Sequence, residues 1–191
     1  MSLDERLESL GVVKRGHFLL SSGRHSDIYF EKFRILEHPE VLAEMVALIL
    51  KSLDRDSIDL VIGPTTGGVI VAYEAARQLG KSALYAEREA GARALRRDAE
   101  MHPGSRVLVV DDLLTTGLSA QEVIDLTRQH GGQAVGLGVL IDRSNGQHGI
   151  DIPIHSALDL PAVSFEPQDC PLCRNGVPIT VRGTRYAEVA P

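Results

Sequence analysis

Disulfide cross-links cannot organise this chain, because its only cysteines are Cys170 and Cys173, three residues apart in Cys-Pro-Leu-Cys. No second pair of residues has metal-ligand spacing. His148 or His155 would have to complete a four-ligand site, so the pair reads first as a structural turn with reduced thiols. No apolar run reaches membrane-spanning length, and the charged start from Met1 to Arg6 lacks an apolar signal region, which predicts a cytoplasmic protein with no membrane partner. Positive charge is in deficit, with 20 Lys and Arg against 26 Asp and Glu, so no general field draws nucleic acid. A phosphate site must then be a local concentration of donors. Neither a Walker lysine motif nor a complete Gly-x-Gly-x-x-Gly is present, which leaves nucleotide-triphosphate and dinucleotide readings without support. Lysine itself is missing after Lys81. Internal repeats and linkers are lacking too, and 191 residues with 43% hydrophobic content predict one core, hence one domain over 1–191.

Against these absences, the run from Arg106 to Ala120 is dense in information. Val107, Leu108, Val109 and Val110 read as a strand buried on both faces of a parallel sheet. Asp111 and Asp112 follow at its carboxyl end, where open α/β sheets bind ligands. From Ser119 the pattern turns helical through Val123, Ile124 and Leu126, so residues 115–118 form the turn before a helix amino terminus. Free backbone N–H groups and a positive dipole end there suit an anion. Two carboxylates beside an anion cradle point to a ligand with hydroxyls and a phosphate, such as a ribose phosphate carrying Mg²⁺. The plainer alternative is a buried strand and capped helix with the acid pair solvated at the edge.

Elsewhere the chain alternates strands and helices. Leu3, Leu7 and Leu10 are spaced for a short helix stopping at Gly11, and residues 16–30 read as a hairpin around Ser21-Ser22-Gly23. His38-Pro39-Glu40 opens a helix whose apolar face comprises Val41, Leu42, Met45, Val46, Leu48, Ile49 and Leu53. Residues 59–63 form a strand that Pro64-Thr65-Thr66-Gly67-Gly68 turns into another helix. Gly67 and Gly68 either let backbone N–H groups approach an anion or serve only the tight turn. After a strand over 82–86, residues 87–105 carry Arg88, Arg93, Arg96 and Arg97 with little periodicity. That is the pattern of a mobile lid rather than of a compact connection. A strand over 133–141 ends in Asp142 and Arg143, and 152–157 suggests a last strand.

The stretch 109–119, Val-Val-Asp-Asp-Leu-Leu-Thr-Thr-Gly-Leu-Ser, resembles the phosphoribosyl-pyrophosphate (PRPP) motif of type I phosphoribosyltransferases. The resemblance implies an α/β fold, a type I phosphoribosyltransferase-like parallel sheet core flanked by helices (37–160), with a small N-terminal hood (1–36) and a tail (161–191). It implies that Asp111 and Asp112 hold the ribose hydroxyls while Leu113, Leu114, Thr115, Thr116, Gly117, Leu118 and Ser119 form the phosphate loop. Thr66, Gly67 and Gly68 would meet the pyrophosphate, and Arg88, with Arg93, would stabilise it as it leaves.

The hairpin is similar to the hood of orotate phosphoribosyltransferases, which places Ser22, Gly23, Ser26, Tyr29 and Phe30 near the base and gives the orotate carboxylate to Arg143, with Thr115 also at the base. An ion pair with Asp142 is the simpler role for Arg143. The tail from Cys170 to Pro178 is similar to that of one bacterial subgroup of these enzymes. The expected reaction is orotate with Mg²⁺-bound PRPP, catalysed by a homodimer through Asp111, Asp112 and Arg88. Many of these enzymes carry lysine in the lid where this chain has arginine. Two alternatives therefore stay open: a phosphoribosyltransferase for another base, and a non-catalytic PRPP-sensing regulator.

Overall fold

Short apolar runs separated by helical periodicity build parallel sheets, since joining parallel neighbours takes a crossover of a dozen or more residues. The structure, a computed structural model, describes residues 3–20, 22–89, 91–96, 99–160 and 163–181. Its elements are α1 (Leu3–Ser9), β1 (Val13–Leu19), β2 (His25–Phe30), α2 (Phe33–Leu36), α3 (Pro39–Lys51), β3 (Leu60–Pro64), α4 (Gly67–Leu79), β4 (Ser82–Glu89), β5 (Ala92–Ala94), β6 (Arg106–Leu114), α5 (Leu118–Gln129), β7 (Gln133–Asp142), β8 (Ile154–Asp159), α6 (Pro171–Arg174) and β9 (Thr180–Val181). They divide into two compact units: Leu36–Pro161, and Met1–Ile35 with Ala162–Pro191. The segments read as hood and tail thus belong to one unit.

In the larger unit the strand order is β5-β4-β3-β6-β7-β8, parallel throughout except for the antiparallel edge β5. Side chains alternate across the sheet. Leu60, Ile62, Val107, Val109, Leu137 and Val139 form one core cluster with Ala120, Val123 and Ile124 of α5. On the opposite face Gly138 admits α3 closely, since a Cβ there would lie 2.8 Å from Ile49 Cγ2. The expected α/β sheet flanked by helices is what forms.

Three local expectations are corrected. Leu48 is 41% exposed while Leu50 is buried, so the apolar face of α3 keeps Val41, Leu42, Met45, Val46 and Ile49 and takes Leu50 in place of Leu48. The strand expected over 152–157 runs over Ile154–Asp159, and it is not the last, since β9 follows it. The third concerns the arginine segment, which is not a structureless loop. β4 continues to Glu89 and pairs with β5 through Glu87↔Ala94, Arg88↔Arg93 and Glu89↔Ala92. Charged alternation hid this hairpin, because an edge strand held by backbone bonds needs no apolar side chains.

The smaller unit is a three-stranded sheet, β2-β1-β9, with β1 antiparallel to β2 and parallel to β9. Arg15 faces Ile28 and Phe18 faces Ser26, so β1 carries one extra residue, a bulge at Gly16-His17. The bulge lets His17 and Phe18 both turn inward, at 3% and 4% exposure. Ser26 is fully buried: its hydroxyl donates to the Val163 carbonyl at 2.9 Å and accepts from the Ile28 N–H. Ser21, in the expected turn, lies outside the described residues.

Candidate active site

β6 delivers the acid pair. The strand runs through it to Leu114, leaving Asp111 and Asp112 8% and 3% exposed near its carboxyl end. The Asp112 N–H donates to Asp111 Oδ1 at 2.8 Å, which fixes one carboxylate against the backbone of the other. Leu114 is a core side chain at 2% exposure, so it can meet a ligand only through its backbone. Thr115 and Thr116 are exposed, and Gly117 adopts φ 80° at the amino end of α5 with no side chain capping the helix. Uncapped N–H groups and two exposed hydroxyls form an anion cradle. Gly117 must be glycine twice over, because a Cβ would also lie 2.6 Å from the His148 carbonyl oxygen.

The second turn packs directly on the acid pair. A Cβ on Gly67 would lie 1.8 Å from Asp112 Oδ2, and one on Gly68 2.5 Å from Pro64 Cδ and 3.4 Å from Asp111 Oδ1. Asp112 already requires glycine at position 67, and the Pro64 ring requires it at position 68. Thr66, which precedes them at the amino end of α4, is exposed.

The arginines divide sharply. Arg93, with a side chain only 7% exposed, spans three elements of this site. Its guanidinium donates to Ser119 Oγ at 3.0 Å, Thr65 Oγ1 at 3.3 Å, the Ala86 carbonyl at 3.3 Å and Glu122 Oε2 at 3.2 Å. Arg88 is 48% exposed, donating to the Gly91 carbonyl at 2.9 Å and to Glu122. Burial pushes the Glu122 carboxyl up, but the hydrogen bonds and charges of Arg88 and Arg93 outweigh it and hold the group below its usual range. Arg96 pairs with Glu89 at 3.1 Å, and Arg97 lies outside the described residues. Sequence reasoning missed Glu122 and Thr65. The signal for Glu122 was its position three residues after Ser119, on the same face of α5.

Arg143 follows β7, and its N–H donates to the Leu114 carbonyl at 2.8 Å, which sets it beside the end of β6. Burial lowers its guanidinium pKa, a sign of a charge withdrawn from water. Asp142 accepts the Ser144 N–H at 2.7 Å. Tyr29 and Phe30 lie on β2 in the smaller unit, where Tyr29 packs on Phe18 with ring centroids 5.5 Å apart and Phe30 is 8% exposed. The acid pair, the glycine turn, the turn at 115–118 and Arg93 thus meet in one unit.

Residues 34–166 match the phosphoribosyl transferase domain model. The chain is 44% identical over 181 residues to the orotate phosphoribosyltransferase of Caldanaerobacter subterraneus, covering 95% of each protein. With that of Thermotoga maritima it shares 43% identity over 186 residues, covering 96% of this chain and 98% of the relative. Among solved structures, the orotate phosphoribosyltransferase of Aeropyrum pernix superposes with TM-score 0.72 at 31% identity, over 83% of this chain and 94% of that one. Adenine phosphoribosyltransferase from Rhodothermus marinus, at 22% identity and TM-score 0.63 over 82% of this chain and 99% of that one, shares the fold. The chain belongs to the phosphoribosyltransferase family, on its orotate phosphoribosyltransferase branch.

Proposed function

We propose that this protein transfers ribose 5-phosphate from PRPP to N1 of orotate, releasing pyrophosphate and orotidine 5′-monophosphate. The observation that carries the reading is the buried Asp111-Asp112 pair, packed on Gly67-Gly68 and followed by the uncapped amino end of α5. Carboxylates at that place orient the ribose hydroxyls and favour positive charge developing at the ribose C1. The N–H groups of residues 115–119 and the hydroxyls of Thr115 and Thr116 hold the 5′-phosphate. Hard oxygen donors fit a magnesium ion, and the carboxylates of Asp111 and Asp112 are such donors. Mg²⁺ arriving with PRPP would supply charge neutralisation for the pyrophosphate.

Arg88, exposed and on the hairpin, is free to turn toward a leaving group once its contact with Glu122 is exchanged for the pyrophosphate. Arg93 holds the glycine turn, the helix and the hairpin in register. Arg143 takes the orotate carboxylate, which a buried guanidinium binds better than an exposed one. Tyr29 and Phe30 cover the base, and the enzyme works as a homodimer in the cytoplasm, on the strength of the family resemblance.

The test is turnover of orotate, uracil, adenine and hypoxanthine with PRPP, with and without Mg²⁺. Orotate alone should be consumed, with stoichiometric pyrophosphate. Purine turnover without orotate turnover would overturn the base assignment. Binding of PRPP without pyrophosphate release would overturn catalysis.

A further inference from the structure

The histidines that converge on Cys170 and Cys173 are neither His148 nor His155. His155 Nδ1 contacts Ser52 Oγ at 2.8 Å and His148 Nδ1 accepts from the Ile150 N–H, both in the larger unit. In the smaller unit, His17 and His25 approach the two cysteines instead. The four ligand atoms lie within 4.8 Å of one another, and this is the cluster of its kind among the described residues. His17 Nε2 is 3.0 Å from His25 Nδ1, 3.6 Å from Cys170 Sγ and 3.7 Å from Cys173 Sγ, while Cys173 Sγ is 3.2 Å from His25 Nδ1.

Hydrogen bonding does not account for this convergence. His17 Nδ1 lies 2.7 Å from the Val177 carbonyl oxygen, which can only accept, so Nδ1 carries the proton and Nε2 of the neutral ring is a bare lone pair. That one lone pair faces three polar atoms and can accept from one of them well. A cation at the centre satisfies all four atoms together. The Val177 carbonyl is then the outer partner that orients a ligating histidine. A tetrahedral ion with bonds of about 2.0–2.1 Å to nitrogen and about 2.3 Å to sulfur has edges near 3.3 Å for N···N and 3.6 Å for N···S. Four of the six separations match those edges to within a few tenths of an ångström, and the two that involve Cys170 with Cys173 and with His25 are no longer than 4.8 Å.

Local structure also serves the site. The bulge in β1 turns His17 inward, His25 opens β2, and α6 begins right after Cys170, so its first turn brings Cys173 round to the same point. The unit is small, and it draws together residues 153 positions apart in sequence, from His17 to Cys170. Small units commonly need a staple beyond their apolar core.

We propose that His17, His25, Cys170 and Cys173 bind one structural zinc ion that fastens the C-terminal segment to the N-terminal hairpin. Two thiolates with two imidazoles and no open position suit zinc, and a closed four-ligand set points to structure rather than catalysis.

The test uses the full-length protein purified without a metal-affinity step. Elemental analysis should find one zinc per chain, and X-ray absorption two sulfur and two nitrogen neighbours. Cobalt should enter the chelated protein with the visible absorption of a tetrahedral site and a thiolate charge-transfer band. Chelation should lower the thermal midpoint, and zinc should restore it. His155→Ala should keep full zinc content while Cys173→Ser loses it. Folded wild-type protein that neither contains nor takes up zinc or cobalt overturns the proposal. So does a chain two hydrogens lighter in mass, with a Cys170–Cys173 disulfide in place of the metal. Because these readouts use the wild-type chain, failure of a variant to fold leaves the test intact.

Discussion

Replacing Gly67 by alanine perturbs the proposed reaction through a single contact. The new methyl carbon would start 1.8 Å from Asp112 Oδ2 and 2.7 Å from its Cγ, where ordinary contact begins at 3.4 Å. The carboxylate must therefore retreat by roughly 1.6 Å, since the methyl is fixed to the first turn of α4. Misplacing a reacting group by about 1 Å costs on the order of 100-fold in rate. Expressed as barrier height, that is about 2.7 kcal/mol. Stability should suffer less, because overpacking costs about 1–3 kcal/mol while alanine regains up to about 1 kcal/mol of helix propensity over glycine. The assay is orotate consumption with PRPP beside a thermal melt. Gly67→Ala should lose about 100-fold or more in kcat/KM while melting as a folded protein. A cycle sharpens the test: in an Asp112→Asn background the same substitution should cost little more, because the carboxylate it displaces has already lost its charge. A Gly67→Ala enzyme within about threefold of wild type would refute the claim that the placement of Asp112 matters.

Arg143→Ala should raise the orotate KM by about 10–100-fold, the value of a lost charge-assisted pair, with the PRPP KM nearly unchanged in initial-rate kinetics. Arg93→Lys should lower both kcat and the melting midpoint, because a point charge cannot replace a guanidinium bonded to Ser119, Thr65, Ala86 and Glu122; Arg88→Ala, at an exposed site, should lower kcat and leave the midpoint alone. Asp59 gives a pH test. The Arg106 side chain, its N–H and its charge hold the Asp59 carboxyl well below the usual range, so this stabilisation is present above the unfolded value of about 4 and fades as pH falls through the lower folded value. Denaturant titrations of wild type and Asp59→Asn should differ at pH 7 and converge in strong acid, and an equal gap at both ends would contradict the linkage.

What was legible in the sequence was whatever repeats with a period or sits at a strand end. β6, the acid pair and the turn into α5 were readable because a doubly buried strand, two adjacent acids and a glycine turn each carry their own local signal. The hairpin β4-β5 was not, because Glu87, Arg88 and Glu89 alternate without apolar residues and their pairing is a matter of backbone geometry. His17 and His25 were invisible as partners of Cys170 for a different reason. Their meeting depends on a one-residue bulge and on contacts spanning 153 positions, neither of which leaves a spacing to read. Glu122 looked like any polar residue on the outer face of an amphipathic helix until two arginines were found on it.

The arginines also answer the puzzle of the missing lysine in a way the sequence could not. Position 93 is one where lysine would fail on geometry: the bonds radiate from Nε and both terminal nitrogens to a carboxylate, two hydroxyls and a carbonyl on different elements, and an ammonium has one donor centre. A guanidinium so fully engaged is poorly placed to donate a proton, and its chemistry is to hold the glycine turn against α5. In the proposed reaction, electrostatic work on the leaving pyrophosphate would fall to Arg88, whose partner Glu122 it shares with Arg93. Removing Arg88 from Glu122 leaves that carboxylate still paired with the buried Arg93, so Arg88 can exchange one anion for another without stranding a charge. An arginine hairpin can in this way swing toward substrate at low electrostatic cost, which a lone lysine bound to its own carboxylate would not allow.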